Sequence, residues 1–114
     1  MADQLWFNPG CSKCRMASSL LDEAGVDAVL MRYLDQPPTV EQLRELMRML
    51  GIDDPTAMMR TGEERYGALG LSGASADAQL EAIAANPMLL ERPIFVRNGR
   101  AVIARPPERV RELL

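Results

Sequence analysis

Two cysteines three positions apart, Cys11 and Cys14, stand where a short apolar run gives way to a helical pattern, and the chain has no others. A disulfide across so short a loop would constrain little of the unfolded chain, so stability does not explain the pair. A zinc centre normally takes four ligands, and cysteines at this spacing usually await a second Cys or His pair. Here there is no third cysteine and no histidine at all. No metal site is therefore expected, and thiol redox chemistry remains.

The flanking sequence says what such a pair is built into. Gln4-Leu5-Trp6-Phe7 reads as a buried strand, bounded by the turn residues Asn8-Pro9-Gly10. Cys14, Ala17, Leu20, Leu21 and Ala24 then recur at helical spacing, and Gly25 follows as a C-terminal stop. Ala28 to Tyr33 reads as a second strand, and Asp35-Gln36-Pro37-Pro38 breaks the chain. Strand, crossover helix and strand in that order predict a right-handed parallel βαβ unit.

From about residue 39 to 90 the pattern is helical. Thr39 with Gln42 fits a capping box, followed by a stripe of Leu43, Leu46, Met47 and Leu50 and a stop at Gly51. Asp54-Pro55 opens a short helix through Met58 and Met59, and Ser75 opens another carrying Leu80, Ile83 and Ala84. Met47, Met49, Met58 and Met59 read as adaptable core filler. Asp53-Asp54 and Glu63-Glu64 read as solvated loop charges. Strands return at Ile94–Arg97 and Arg100–Ile103, joined by Asn98-Gly99, the strongest short signal for a tight hairpin. Arg105-Pro106-Pro107 leads into a last helix with Val110, Leu113 and Leu114 on its apolar face. The order βαβ, helical insert, ββα predicts an α/β fold with a thioredoxin-like mixed sheet. The chain reads as a single domain, residues 1–114.

Such a fold sets the active cysteine after the first strand, at the start of the first helix. Cys11 is there. An ordinary free thiol is only about 3% thiolate at pH 7. Unpaired N–H groups and the helix dipole lower that pKa at a helix N-terminus. Ser12, Lys13 and Arg15 are the expected thiolate-stabilising neighbours. Cys14, one turn further in, is expected to be more buried and less acidic, the asymmetry that separates an attacking thiol from a resolving one.

Composition limits the partners. Hydrophobic residues at 47% and charged residues at 25% are ordinary for a folded domain. A net charge of −3 gives no electrostatic reason to expect nucleic acid. The apolar stretches are too short to span a bilayer. Met1-Ala2-Asp3-Gln4 does not read as a secretory signal, so a cytoplasmic, membrane-free protein is expected, as a monomer. Lys13 is the only lysine, and every other cation is arginine, the residue suited to forked contact with oxyanions.

Several segments together carry a family resemblance. Asn8-Pro9-Gly10-Cys11-Ser12-Lys13-Cys14-Arg15 resembles the Asn-Pro-x-Cys-x-x-x-Arg signature of the ArsC family, the glutaredoxin-coupled arsenate reductases. Tyr33-Leu34-Asp35-Gln36-Pro37-Pro38-Thr39 is similar to the family's Tyr-Leu-x-x-Pro-Pro-Thr. So are Met59-Arg60-Thr61 with Tyr66 and Leu69-Gly70-Leu71, then Asn86 to Ile94, then Ala104-Arg105-Pro106-Pro107-Glu108. The resemblance implies that Cys11 attacks arsenate or a similar oxyanion held by Arg60, Arg92 and Arg105. It also implies glutathione as co-substrate, with no bound cofactor, and glutaredoxin or thioredoxin as partner. A cis Arg92–Pro93 bond is implied too, against a general X–Pro preference of roughly 95% trans.

Two positions depart from the family pattern. Phe7 stands where many members have histidine, and Cys14 where the arsenate reductases usually have serine. The CxxC form resembles Spx-type members of the family, redox-sensing regulators that bind RNA polymerase. Three functions thus stay open: arsenate reductase, a general glutathione-linked thiol reductase, and a redox-switched regulator.

Overall fold

Strand β1 (Gln4–Trp6) buries Leu5 and Trp6 at the centre of a four-stranded sheet, in a computed structural model that describes residues 2–114. The chain divides into two compact units, Met1–Gln36 with Arg92–Leu114, and Pro37–Glu91.

In the first unit the sheet order is β2-β1-β3-β4, with β2 at Val29–Met31, β3 at Ile94–Arg97 and β4 at Arg100–Ile103. β1 runs parallel to β2 and antiparallel to β3, with Leu5 opposite Leu30 on one side and Phe95 on the other. Helix α1 (Ser12–Glu23) makes the crossover, and Gly25 ends it at φ 75°. Asn98 and Gly99 both have positive φ, 53° and 76°, which is the type I′ turn that the right-handed strand twist favours. The predicted mixed thioredoxin-like sheet is present. Leu5, Ala17, Leu21, Phe95, Val102, Ala104 and Val110 form its core. Each leucine, valine or phenylalanine among them contributes about 1.5–3 kcal/mol by leaving water, and the alanines less.

Two expectations for this unit need correction. β2 spans only Val29–Met31, shorter than the expected Ala28 to Tyr33, and is an edge strand with Val29 and Leu30 exposed. The last segment, Pro107–Leu113, is a 3₁₀ helix and not an α-helix. Pro106 and Pro107 supply no N–H groups, and the segment closes with i→i+3 bonds such as Arg109 N–H to the Pro106 carbonyl, 3.0 Å. Three residues per turn align Pro107, Val110 and Leu113 on one face and throw Leu114 outward, where it is exposed.

The second unit, Pro37–Glu91, is helical. Helix α2 (Val40–Leu50) starts on the predicted box: Gln42 N–H donates to Thr39 Oγ1 at 3.1 Å, and Thr39 N–H donates to Gln42 Oε1 at 2.9 Å. It ends at Gly51, φ 71°. Asp54 with Pro55 opens the predicted short helix, which is a 3₁₀ turn (Pro55–Met58) that Asp54 caps by accepting from Thr56 N–H at 2.9 Å. A five-residue helix α3 (Glu64–Ala68) was not expected, being too short to show a periodic stripe. Helix α4 (Ala76–Ala85), capped by Ser75, packs against α2. Its buried Gln79 is satisfied by Thr56 Oγ1, which donates at 2.8 Å, and by the Ala74 carbonyl at 2.9 Å. Among the described residues no helix is long and apolar enough to cross a membrane.

Candidate active site

The turn between β1 and α1 is organised by Asn8. Its Oδ1 accepts from Gly10 N–H at 2.9 Å, and its carbonyl accepts from Cys11 N–H at 3.0 Å. Asparagine readily forms such a turn by bonding the backbone two residues on. Cys11 is thereby delivered to the N-cap position of α1, with extended backbone at φ −98° and ψ 122°. As a thiol it makes no capping hydrogen bond. As a thiolate it has the N–H groups of Lys13 and Cys14 as donors, the two positions an N-cap acceptor normally serves.

Cys11 and Cys14 approach to 3.6 Å. Cys11 is partly exposed, whereas Cys14 is fully buried. Partial burial works to raise the Cys11 pKa. Hydrogen bonds from the Cys14 N–H, the Cys14 thiol and the Lys13 N–H, together with the Arg92 charge, outweigh it and hold the group below the usual thiol range. Cys14 goes the other way. Burial pushes it up to about 11, with the hydrogen bond and negative charge of Cys11 adding to the rise and the Asn8 N–H and Arg92 opposing it. The asymmetry read from the sequence is present, and its direction follows from burial.

The N–H groups expected at the helix start are among the sources of thiolate stabilisation, Lys13 contributing through its own. The side-chain charge that bears on Cys11 is Arg92, expected only as a substrate ligand. Arg15 Nη1 donates instead to the Pro9 carbonyl at 2.8 Å, bracing the turn. Ser12 is exposed and lines a cleft of about 360 Å³ along one face of α1, with Arg15, Met16, Ser19, Leu20 and Glu108. Helix α1 has no acidic residue in its first turn, so no carboxylate competes with the sulfur for the positive helix end.

Arg92 and Arg105 belong to the same unit as the cysteines. Arg105 Nη1 donates to the Arg92 carbonyl at 3.0 Å, tying the two loops together. The Arg92–Pro93 bond is cis as the family resemblance implied, and Arg105–Pro106, for which nothing was expected, is cis as well. Arg60 lies in the other unit. There it pairs with Glu63 at 3.3 Å and Glu91 at 3.8 Å, so Glu63 is an ion-pair partner rather than a solvated loop charge. Asn8 is the residue the sequence reading missed. Its signal was the Asn-Pro-Gly turn itself, which marked a break in the chain but also builds the thiol's setting.

Known proteins resemble this chain along its length. The ArsC family pattern matches residues 6–113. The arsenate reductase of Neisseria meningitidis serogroup B is 42% identical over 113 residues, covering 97% of both chains. That of Haemophilus influenzae is 39% identical over 112 residues, covering 96% of this chain and 97% of its own. Among solved structures, the arsenate reductase from Vibrio cholerae superposes with a TM-score of 0.96 at 43% identity, covering 100% of this chain and 98% of that one.

Proposed function

The chain belongs to the ArsC family, and from that premise we propose that it is an arsenate reductase whose nucleophile is the Cys11 thiolate. The observation that carries the proposal is the acidified, partly exposed sulfur at the start of α1 with the Arg92 charge beside it. Attack by a thiolate on arsenate brings two anions together. Cations and oriented N–H groups at the point of attack offset that repulsion, and arginine does so with paired, directional hydrogen bonds.

Arg92, Arg105 and Arg60 are the oxyanion ligands in this proposal. The bond from Arg105 to the Arg92 carbonyl supports it for the first two, because it preorganises the loops that carry both guanidinium groups. For Arg60 the support is the match of Met59-Arg60-Thr61 to the family pattern, and substrate would have to compete there with Glu63 and Glu91. Electrons come from glutathione with glutaredoxin, or from thioredoxin, in a reducing cytoplasmic setting that keeps Cys11 a thiol. The cleft along α1 that begins at Ser12, with Arg15 and Glu108 on its walls, suits the carboxylates and ammonium of glutathione. The test is arsenate-dependent NADPH oxidation in the presence of glutathione, glutaredoxin and glutathione reductase. Wild type turns over and Cys11→Ser does not, since a serine alkoxide is out of reach without a base and the chain has no histidine. Arsenate-independent oxidation, or activity left intact in Cys11→Ser, rejects the reading.

A further inference from the structure

We propose that Cys14 is the resolving thiol of this reaction and that attachment of arsenic to Cys11 is what activates it. The inference rests on the arsenate reductase reading and goes beyond it by naming the group that carries off the electrons. Its basis is geometric. Cys14 sits at the third position of α1, fully buried, 3.6 Å from Cys11. It is not part of the apolar cluster that contains Ala17 and Leu21 from the same helix. Its sulfur instead exchanges a hydrogen bond with Cys11 and receives one from the Asn8 N–H. A buried methyl-sized filler needs neither. An oxyanion arriving from solvent meets Cys11, with Cys14 already behind it.

The same contacts supply the timing. When Cys11 ionises to attack, its negative sulfur helps hold the proton on Cys14, while the Asn8 N–H pulls the other way. Once Cys11 bonds to arsenic, its sulfur is no longer a thiolate and the negative charge passes to the arsenate oxygens. The restraint that the sulfur itself placed on Cys14 is then lifted, whereas the Asn8 donor remains. The resolving thiol is therefore quiet until there is an intermediate to resolve.

The chemistry balances without another reactant. The Cys11 thiolate attacks dihydrogen arsenate, forming a sulfur–arsenic bond while one arsenate oxygen leaves with both protons as water. Cys14 then gives up its proton and forms a bond to the Cys11 sulfur. The sulfur–arsenic bond breaks with its electron pair going to arsenic, which falls from As(V) to As(III) and leaves as arsenite carrying the proton. Two thiols have become one disulfide. Intramolecular attack has an effective concentration orders of magnitude above any cellular thiol, which favours Cys14 over glutathione at this step. Glutathione, glutaredoxin or thioredoxin then acts on the disulfide by exchange.

Single turnover decides it. Reduced, desalted protein is mixed anaerobically with arsenate and no glutathione, quenched with acid, and analysed for arsenite and intact mass. Wild type is expected to yield about one arsenite per chain and lose two hydrogens, with Cys11 and Cys14 in one linked peptide, as intramolecular attack requires. Cys14→Ser and Cys14→Ala are expected to yield background arsenite alone and to regain turnover when glutathione is added, which also shows that they fold and bind arsenate. In Cys11→Ser, where the neighbouring charge is removed, Cys14 is expected to titrate below about 11. If wild type yields arsenite only with glutathione present, Cys14 does not resolve while the arsenate reductase reading stands. If Cys14→Ser matches wild type without glutathione, or Cys14 in Cys11→Ser titrates no lower, the proposal is overturned. If no donor supports arsenite formation in any form of the protein, both readings fall.

Discussion

Helices α1 and α2 are nearly equal in length and opposite at their ends. α2 opens on a complete capping box and carries Glu41 in its first turn and Arg48 in its last. α1 opens on a cysteine that as a thiol caps nothing, has Lys13 and Arg15 near its start, and ends on Asp22 and Glu23. Each choice that complements the helix dipole in α2 is reversed in α1. The difference teaches where the chain keeps its unsatisfied electrostatics. α2 satisfies its own termini, whereas α1 leaves its positive end open for a negative sulfur and the anion that sulfur attacks.

The contrast breaks most visibly at Arg92. Replacing Arg92 with alanine should raise the Cys11 pKa, read by thiolate absorbance, because it removes the full charge that helps hold it down. It should also cost about 1.5–3 kcal/mol in kcat/KM for arsenate, the scale of hydrogen bonds to charged groups. Lysine at Arg60, Arg92 or Arg105 should be costly as well, since it keeps the charge and loses the fork. Arg97, Arg100 and Arg109 are the controls, and comparable losses there would undo the assignment.

At α2 the expectation inverts. Thr39→Ala removes the cap and should cost about 0.5–2 kcal/mol in urea denaturation, with the Cys11 titration unmoved. A shift in that titration would mean that the two helix ends are coupled, contrary to the comparison.

The smallest effect sharpens the comparison from the other side. Cys11→Ser gives α1 the conventional cap it lacks and should add about 0.5–1 kcal/mol at mildly acidic pH while abolishing activity. The pH dependence should change with it. Cys11 has a lowered folded pKa, so its ionisation contributes stability that is complete above the ordinary thiol range and is lost as pH falls through the lowered value. Cys14 has a raised one, so its contribution is lost as pH rises from the ordinary range toward about 11. Wild-type stability should climb through the first window and decline in the second, and Cys11→Ser should keep only the decline. A climb that persists in the variant would assign it to another group.

Local signals in the sequence carried much of this structure. Thr39 with Gln42, Gly51 and Asn98-Gly99 each act within a few residues, so the box, the left-handed stop and the type I′ turn could be read directly. The ordered motifs likewise singled out Cys11, Arg92 and Arg105, and the structure ties the two arginine loops together through the bond from Arg105 to the Arg92 carbonyl. What stayed hidden depended on partners distant in sequence. The short β2 edge is defined by pairing with β1, and the 3₁₀ geometry of Pro107–Leu113 by which of two periods lets Val110 reach the core. The pairing of Arg60 with Glu91 joins residues on either side of α3 and α4, a contact no periodicity reports. Arg92 as a tuner of Cys11 was invisible for the same reason, since its charge acts from the far end of the chain's excursion through residues 37–91.

The placement of Cys14 behind a partly exposed Cys11 has a consequence for anyone who handles the protein with electrophiles. Alkylating probes meet one sulfur that is partly exposed and more readily ionised than an ordinary thiol, and a second that is buried and held protonated. Native labelling therefore reports on Cys11 alone, and a second adduct becomes a signature of opened structure. The same layout makes the reduced protein its own unfolding gauge, with no dye or tag required.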